Sequence, residues 1–247
     1  MWTQFNCPER ANRFQKTLNR EAEEHYARNM RDRVPPNSFP YFSRPSVYVV
    51  LLGSGPDGGC KLATDSTPQC EAILGFLSPI DAHIEGILRA KPGLGYEVRQ
   101  ASRIPERYFW TRSGDLALLL HISWLALDRQ FLLRPSGIPG RVSRPVDKDA
   151  RDGMPATFEV DAVALDEVDH MYERAGLYAW EETHERPWPA QRAAQFALRM
   201  GYPLPLPPDA NRSRCELALF DPEGACWHYL PEKTAQEPPA HSKNEAV

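Results

Sequence analysis

The sequence has few cysteines, no long apolar run and no excess of basic residues. Its 247 residues include five cysteines, none of them in a Cys-x-x-Cys pair, the spacing that many zinc and redox sites use. The longest apolar stretch, residues 116–127, is interrupted by His121 and Ser123 and is too short to span a bilayer. The formal net charge is −4, whereas a general nucleic-acid or membrane-surface binder needs a basic field. We therefore expect neither nucleic acid nor membrane as a partner.

The amino-terminal residues and the composition point to a compartment. The first six residues lack the basic segment followed by an apolar segment that marks a secretory signal. Widely spaced cysteines in odd number are typical of a reducing compartment. We therefore expect a cytoplasmic protein. Arginine supplies 23 of the 29 basic residues and the chain has 24 prolines, a composition associated with GC-rich bacterial genomes, so we expect a bacterial source.

Apolar periodicity and turn chemistry predict an α+β fold, a mostly antiparallel sheet with helices packed on it. A helix begins after Ser78, because serine caps a helix and proline fits its first turn. Residues 116–133 predict one hairpin, and residues 215–230, with a turn at 221–224, predict another. The other predicted strands or extended segments are 46–52, 60–64, 71–77, 96–101, 157–160 and 177–180, and the other predicted helices are 8–33, 166–175 and 189–200.

The order of these elements divides the chain into two similar halves. Strand, helix, strand and hairpin follow one another in each half. Duplication explains this order, but so does the frequent recurrence of the same order in α+β folds, and both interpretations stay open. The expected units are an amino-terminal helix and connector over 1–45, a first α+β half over 46–140, a linker or loop over 141–155, a second α+β half over 156–231 and a disordered tail over 232–247.

The sequence has no complete nucleotide-binding or nucleophile motif of the kinds that many enzymes share. Residues 53–58 have Gly-x-Gly-x-x-Gly spacing after a predicted strand, but no helical pattern follows to direct amide groups at a pyrophosphate. We interpret them as a hairpin loop. The sequence has no Gly-x-Ser-x-Gly motif, and His121 within an apolar stretch is typical of a hydrogen-bonded core histidine. We assign no catalytic residue and no cofactor.

The carboxy-terminal half carries a concentrated negative charge. Residues 159–185 contain nine acidic residues and one basic residue, Arg174. Such a field steers basic partners and raises encounter rates, although a solvated helix face has the same composition. Tryptophan beside charge is typical of interface hot spots and also of a small core. The candidate partner-binding residues are Asp166, Glu167, Asp169, Glu173, Trp180, Glu181, Glu182 and Glu185.

A metal site is an alternative use of the same span. Carboxylate and imidazole ligands at helical spacing are what zinc and di-iron bundles use, although such bundles need a second Glu-x-x-His motif. The alternative ligands are Asp166, Asp169, His170, Glu173 and His184. Cys226 and His228 with Cys215 are a weaker candidate, because alternation along one strand face also describes a packed hairpin.

These features favour a protein-binding protein without catalysis, whose acidic half docks the basic surface of another protein. An immunity-type or other sequestering inhibitor fits this physics, because it needs only a rigid scaffold and a complementary patch. A metal-dependent enzyme that uses the acidic and histidine residues between 166 and 184 is the alternative. The oligomeric state is not predicted.

Overall fold

A computed structural model of the chain describes residues 38–43, 46–53, 61–66, 71–91, 95–110, 115–134, 137, 139–151, 154–185, 189–200, 204–205 and 215–231. The predicted helix over 8–33 and the predicted tail over 232–247 lie outside these residues. Within them, no helix is long and apolar enough to cross a membrane.

Among the described residues, five strands precede the first α-helix, six strands follow it, and three more α-helices come before the last three strands. The strands are β1 (Tyr41–Phe42), β2 (Tyr48–Leu52), β3 (Lys61–Leu62), β4 (Thr64–Ser66), β5 (Glu71–Phe76), β6 (Tyr96–Gln100), β7 (Leu118–Leu127), β8 (Gln130–Leu133), β9 (Arg141–Pro145), β10 (Asp147–Asp149), β11 (Thr157–Glu159), β12 (Leu204–Pro205), β13 (Glu216–Asp221) and β14 (Cys226–Pro231). The helices are α1 (Pro79–Arg89), α2 (Ala162–Arg174), α3 (Trp180–Glu185) and α4 (Ala190–Met200).

Among the described residues, eleven strands form one large sheet built around β7. The first part of β7 pairs in parallel with β5 and antiparallel with β9, and its last part pairs antiparallel with β13 and β8. Strand β2 pairs antiparallel with β3, β5 and β6. A second sheet has the order β1-β11-β10. The predicted α+β class with a mostly antiparallel sheet is confirmed.

Helices cover both faces of the large sheet. Because side chains alternate along a strand, Leu118 and Leu120 of β7 belong to one buried cluster and Leu119 and Trp124 to the other. Helices α2 and α3 pack on the first cluster, to which α2 contributes Val168. Helices α1 and α4 pack on the second cluster. The acidic segment therefore lies on one face of the sheet and α1 on the other.

Side-chain caps determine where two of the helices begin. The Oγ of Ser78 accepts hydrogen bonds from the backbone amides of Ile80 and Asp81, as the sequence predicts for the start of α1. Helix α2 begins at Ala162, four residues before its predicted start. The reason is that Oδ1 of Asp161 accepts a hydrogen bond of 2.6 Å from the backbone amide of Ala164.

The predicted loop over 141–155 is wrong in its first part. Residues 141–145 form β9, which pairs with β7 along five residues, and residues 147–149 form β10. The strand was not predicted because its composition is polar. Arg141, a charged residue, is nevertheless buried in it. The predicted extended segment over 177–180 is also wrong, because Trp180 begins α3.

The two predicted halves do not repeat one another in the fold. In the first half, the strand before α1 and the strand after it, β5 and β6, both belong to the large sheet. In the second half, β11 belongs to the small sheet, and a helix follows α2. Strands from both halves pair directly, as β7 does with β13, so the division does not separate two cores.

Candidate functional site

Some of the acidic residues predicted to bind a partner are exposed, and others form hydrogen bonds with neighbouring side chains. On α2, Asp166 and Glu173 are exposed, and they lie seven positions apart on the same face of the helix. On α3, Glu181 and Glu182 are exposed, and Glu185 is the last residue of the helix. Four carboxylates predicted from the sequence are therefore accessible on this side of the molecule.

Two other predicted acids are held by neighbouring side chains. Arg144 of β9 forms two hydrogen bonds with the carboxylate of Glu167, one of them with Nε 2.8 Å from Oε2. Oδ1 of Asp169 accepts a hydrogen bond of 2.6 Å from Nε1 of Trp180. These contacts attach α2 to β9 and α3 to α2, so Glu167 and Asp169 help to hold the surface in place.

Trp180 and His184 are buried, which corrects their prediction as surface or ligand residues. The rings of Tyr172 and Trp180 stack with centroids 5.1 Å apart. The His184 ring packs edge-on against both at 5.6 and 5.5 Å. Burial lowers the pKa of His184 to about 4, so its imidazole is neutral at pH 7. Trp180 stabilises the scaffold rather than contacting a partner.

The alternative metal site is not assembled. Within the described part of the chain, the residues predicted as its ligands (Asp166, Asp169, His170, Glu173 and His184) do not form a group whose ligand atoms meet around one ion. The reason is that Asp169 bonds to Trp180 and His184 packs inside the aromatic cluster. The spacing on α2 therefore does not translate into a coordination sphere.

A buried ionic network links α1 to the large sheet and was not predicted. Arg141 Nη2 lies 3.0 Å from Oε1 of Glu85, and its Nε lies 3.4 Å from Oδ2 of Asp65. Arg89 Nε lies 2.5 Å from Oε1 of Glu85, and Arg134 Nη1 lies 3.1 Å from Oδ1 of Asp65. The Glu85 side chain is fully buried. Each of the three arginines thus pairs with at least one of the two acids, which suits a structural role.

A second buried polar group lies beside this network. His121 packs against the rings of Phe76 and Trp124, with centroids 5.1 and 4.5 Å away. His121 is a core residue, as predicted, but the predicted hydrogen bond is wrong, because neither ring nitrogen has a hydrogen-bond partner among the described residues. Burial and the charge of Arg141 hold the pKa of His121 well below its usual value, so the ring is neutral.

A cleft of about 650 Å³ opens beside the amino-terminal end of α1. Its lining residues are Tyr48, Pro79, His83, Glu97, Val98, Arg99, Gln100 and Arg103. Arg99 forms an ion pair with Glu97 at 2.6 Å, and Nδ1 of His83 lies 3.1 Å from the hydroxyl of Tyr96. These charged and polar groups bond to one another rather than converging on the cleft.

The β13–β14 hairpin brings Cys226 and His228 together with Asp221, and not with Cys215 as the sequence suggested. Cys215 precedes the other end of β13. Asp221 was missed because the sequence assigned it to the turn, whereas it is the last residue of β13 and pairs with Cys226. A predicted turn that began one residue later would have placed Asp221 on the strand, opposite Cys226.

No family model, no curated protein and no solved structure matches this chain.

Proposed function

We propose that this protein is a non-catalytic binding protein whose α2–α3 surface docks the basic surface of another protein. The observation that carries the proposal is the exposure of Tyr178, 75% of whose surface is open to solvent, between the acids of α2 and those of α3. The acidic docking surface consists of the exposed residues Val163, Asp166, Glu173, Tyr178, Glu181 and Glu182.

The composition of the acidic docking surface supports a protein partner. Tyrosine is enriched among interface hot spots, because its ring contributes contact area and its hydroxyl a hydrogen bond. Val163, 68% exposed, adds a second apolar contact on α2. Carboxylates around an aromatic anchor complement lysine and arginine, and they raise the rate of encounter through the field they create.

The scaffold behind the surface supports binding without large rearrangement. Val168, Met171 and Tyr172 anchor the inner face of α2 in the core. The hydrogen bond from Trp180 to Asp169 fastens α3 to α2. A surface that is already ordered loses little conformational entropy when it binds, which leaves more of the contact energy as affinity.

Within this class, we propose an immunity-type or other inhibitor that sequesters a basic protein. Electrostatic steering favours fast association, which is the property that an inhibitor of a harmful partner needs. The bacterial source expected from the composition is consistent with this class. The inhibitor role rests on the docking proposal.

The test is capture from a lysate of the native organism with three versions of the full-length protein. These are the wild type, the docking variant Glu173→Lys/Glu181→Lys/Glu182→Lys and the control variant Glu71→Lys/Glu97→Lys/Asp147→Lys. The control reverses three exposed acids on strands, so both variants have the same net charge. Far-ultraviolet circular dichroism checks that all three are folded.

We expect a protein of basic surface to be captured in near-stoichiometric amount by the wild type and by the control variant. Its recovery should fall at least tenfold with the docking variant and with high salt, because the interaction is electrostatic. Equal recovery of every captured protein by the docking and control variants would contradict the proposal.

A further inference from the structure

Three different metal-binding side chains meet at the end of the β13–β14 hairpin. Sγ of Cys226 lies 3.5 Å from Nε2 of His228, and the same Nε2 lies 3.8 Å from Oδ2 of Asp221. All three ligand atoms lie within 4.8 Å of one another. Asp221 pairs with Cys226 across the hairpin, and His228 follows Cys226 on the same strand face. Regular strand pairing, rather than an irregular loop, brings them together.

The distances suit a tetrahedral coordination sphere. A zinc ion has Zn–S distances of about 2.3 Å and Zn–N or Zn–O distances of about 2.0–2.2 Å, which places neighbouring ligand atoms about 3.3–3.7 Å apart. The sulfur-to-nitrogen distance of 3.5 Å falls within this range, and the nitrogen-to-oxygen distance of 3.8 Å is only slightly longer. The remaining pair, the Cys226 sulfur and the Asp221 carboxylate, lies within 4.8 Å, so completing the geometry requires side-chain adjustment that draws these two groups together.

The turn between the two strands positions the Asp221 carboxylate and has a glycine, Gly224, next to two of the ligand atoms. Oδ1 of Asp221 accepts a hydrogen bond of 2.8 Å from the backbone amide of Glu223, which fixes the carboxylate. A Cβ on Gly224 would lie 2.5 Å from Oδ2 of Asp221 and 3.2 Å from Sγ of Cys226. Glycine at this position thus lets the backbone pass close to two of the three ligand atoms, where any other side chain would crowd them.

We propose that Asp221, Cys226 and His228 bind one zinc ion. A thiolate with an imidazole selects zinc over magnesium and calcium, which take oxygen ligands. The His228 side chain is 31% exposed and that of Asp221 17%, so an ion reaches the site from solvent. Three protein ligands leave the fourth position for water or for a side chain of a partner.

A bound zinc ion balances the charges of its ligands. Zinc binds cysteine as the thiolate, and its divalent charge offsets the repulsion between that thiolate and the carboxylate of Asp221. The zinc site and the acidic docking surface share no residue, so neither proposal depends on the other.

Cobalt(II) titration of the full-length protein tests the site. Cobalt(II) takes the place of zinc and absorbs light according to its ligands. We expect one ion per chain, visible bands of tetrahedral coordination and a near-ultraviolet thiolate-to-cobalt band. Added zinc should abolish all of these bands. Absence of the thiolate band from the wild type would overturn the proposal.

Matched variants assign the signal to these residues. Cys226→Ser and His228→Ala should each weaken cobalt binding by more than about 100-fold, because even residues that only support a ligand contribute 10–100-fold. Gly224→Ala should weaken it measurably, and Cys215→Ala, the control on the other described cysteine, should leave it unchanged. A thiolate band that survives in Cys226→Ser and in His228→Ala would place the metal elsewhere and overturn the proposal.

Discussion

Nε1 of Trp124 donates a hydrogen bond of 2.8 Å to Oδ1 of Asp81, although the two residues lie 43 positions apart. Asp81 is buried where α1 packs on the sheet. Desolvation raises the pKa of its carboxyl from 3.8 to about 6, and the hydrogen bonds with Trp124 and Ser78 offset part of this rise. The folded state therefore holds a proton on Asp81 at a pH at which the unfolded chain has lost it, which couples stability to pH.

Replacing Asp81 by Asn should change how stability varies with pH. Between pH 4 and pH 6 the wild type loses up to about 3 kcal/mol as the pH rises, since ionisation is easier in the unfolded state. Asn keeps an acceptor for Trp124 and does not titrate. The free energy of unfolding of Asp81→Asn relative to wild type should rise by about this amount from pH 4 to pH 7 in urea titrations. A constant difference would contradict the assignment.

His184 should produce the opposite trend. Its pKa is about 4 in the folded state and 6.5 when unfolded, so the unfolded chain takes up a proton first as the pH falls. The wild type therefore loses up to about 3 kcal/mol between pH 6.5 and pH 4. His184→Phe keeps a ring packed against Tyr172 and Trp180 and does not titrate. Its stability relative to wild type should improve towards acidic pH, and parallel pH profiles for the two proteins would refute this.

The buried ionic network predicts a large difference between two Glu→Gln substitutions. Glu85→Gln leaves Arg141 buried next to a neutral side chain, and breaking a buried ion pair in this way costs about 3–5 kcal/mol. Glu97→Gln breaks the ion pair with Arg99, in which Glu97 is 54% exposed, and should cost less than about 1 kcal/mol. Denaturant unfolding of both variants measures the contrast, and equal losses would mean that the network is not formed.

Removing the ring of Tyr178 should weaken binding of the captured partner without affecting the fold. Tyr178→Ala removes the aromatic anchor of the acidic docking surface, and truncating a hot spot costs at least about 2 kcal/mol, or roughly 30-fold in Kd. Tyr41→Ala is the control, because Tyr41 is also exposed (63%) but lies on β1. Calorimetric titration compares the two, and similar affinities would exclude Tyr178 as an anchor.

Much of the fold could be predicted because its signals are local. The composition of β2 and β5, the serine cap of α1 and the turns of both hairpins depend on residues close in sequence. Strand β9 could not be predicted in this way. Arg141 belongs to a strand only because Glu85 and Asp65, more than fifty positions earlier, neutralise its buried charge.

In the candidate sites too, the features set by local sequence could be predicted, and those set by distant contacts could not. Helical spacing predicts that Asp166 and Glu173 share a face of α2, and both are exposed. The burial of Trp180 depends on its hydrogen bond to Asp169 and on stacking with Tyr172, contacts that no local pattern encodes. The place of Asp221 beside Cys226 depends on a hairpin register that differs by one residue from the predicted one.

The association rate of the captured partner tests the central claim, docking on the acidic surface, most directly. Stopped-flow mixing at low and high salt compares the wild type with the docking variant and the control variant defined above. We predict that the wild type and the control associate at similar rates, which fall steeply with salt. The docking variant should associate at least tenfold more slowly at low salt and depend little on salt. Equal rates and equal salt dependence for all three proteins would contradict the claim.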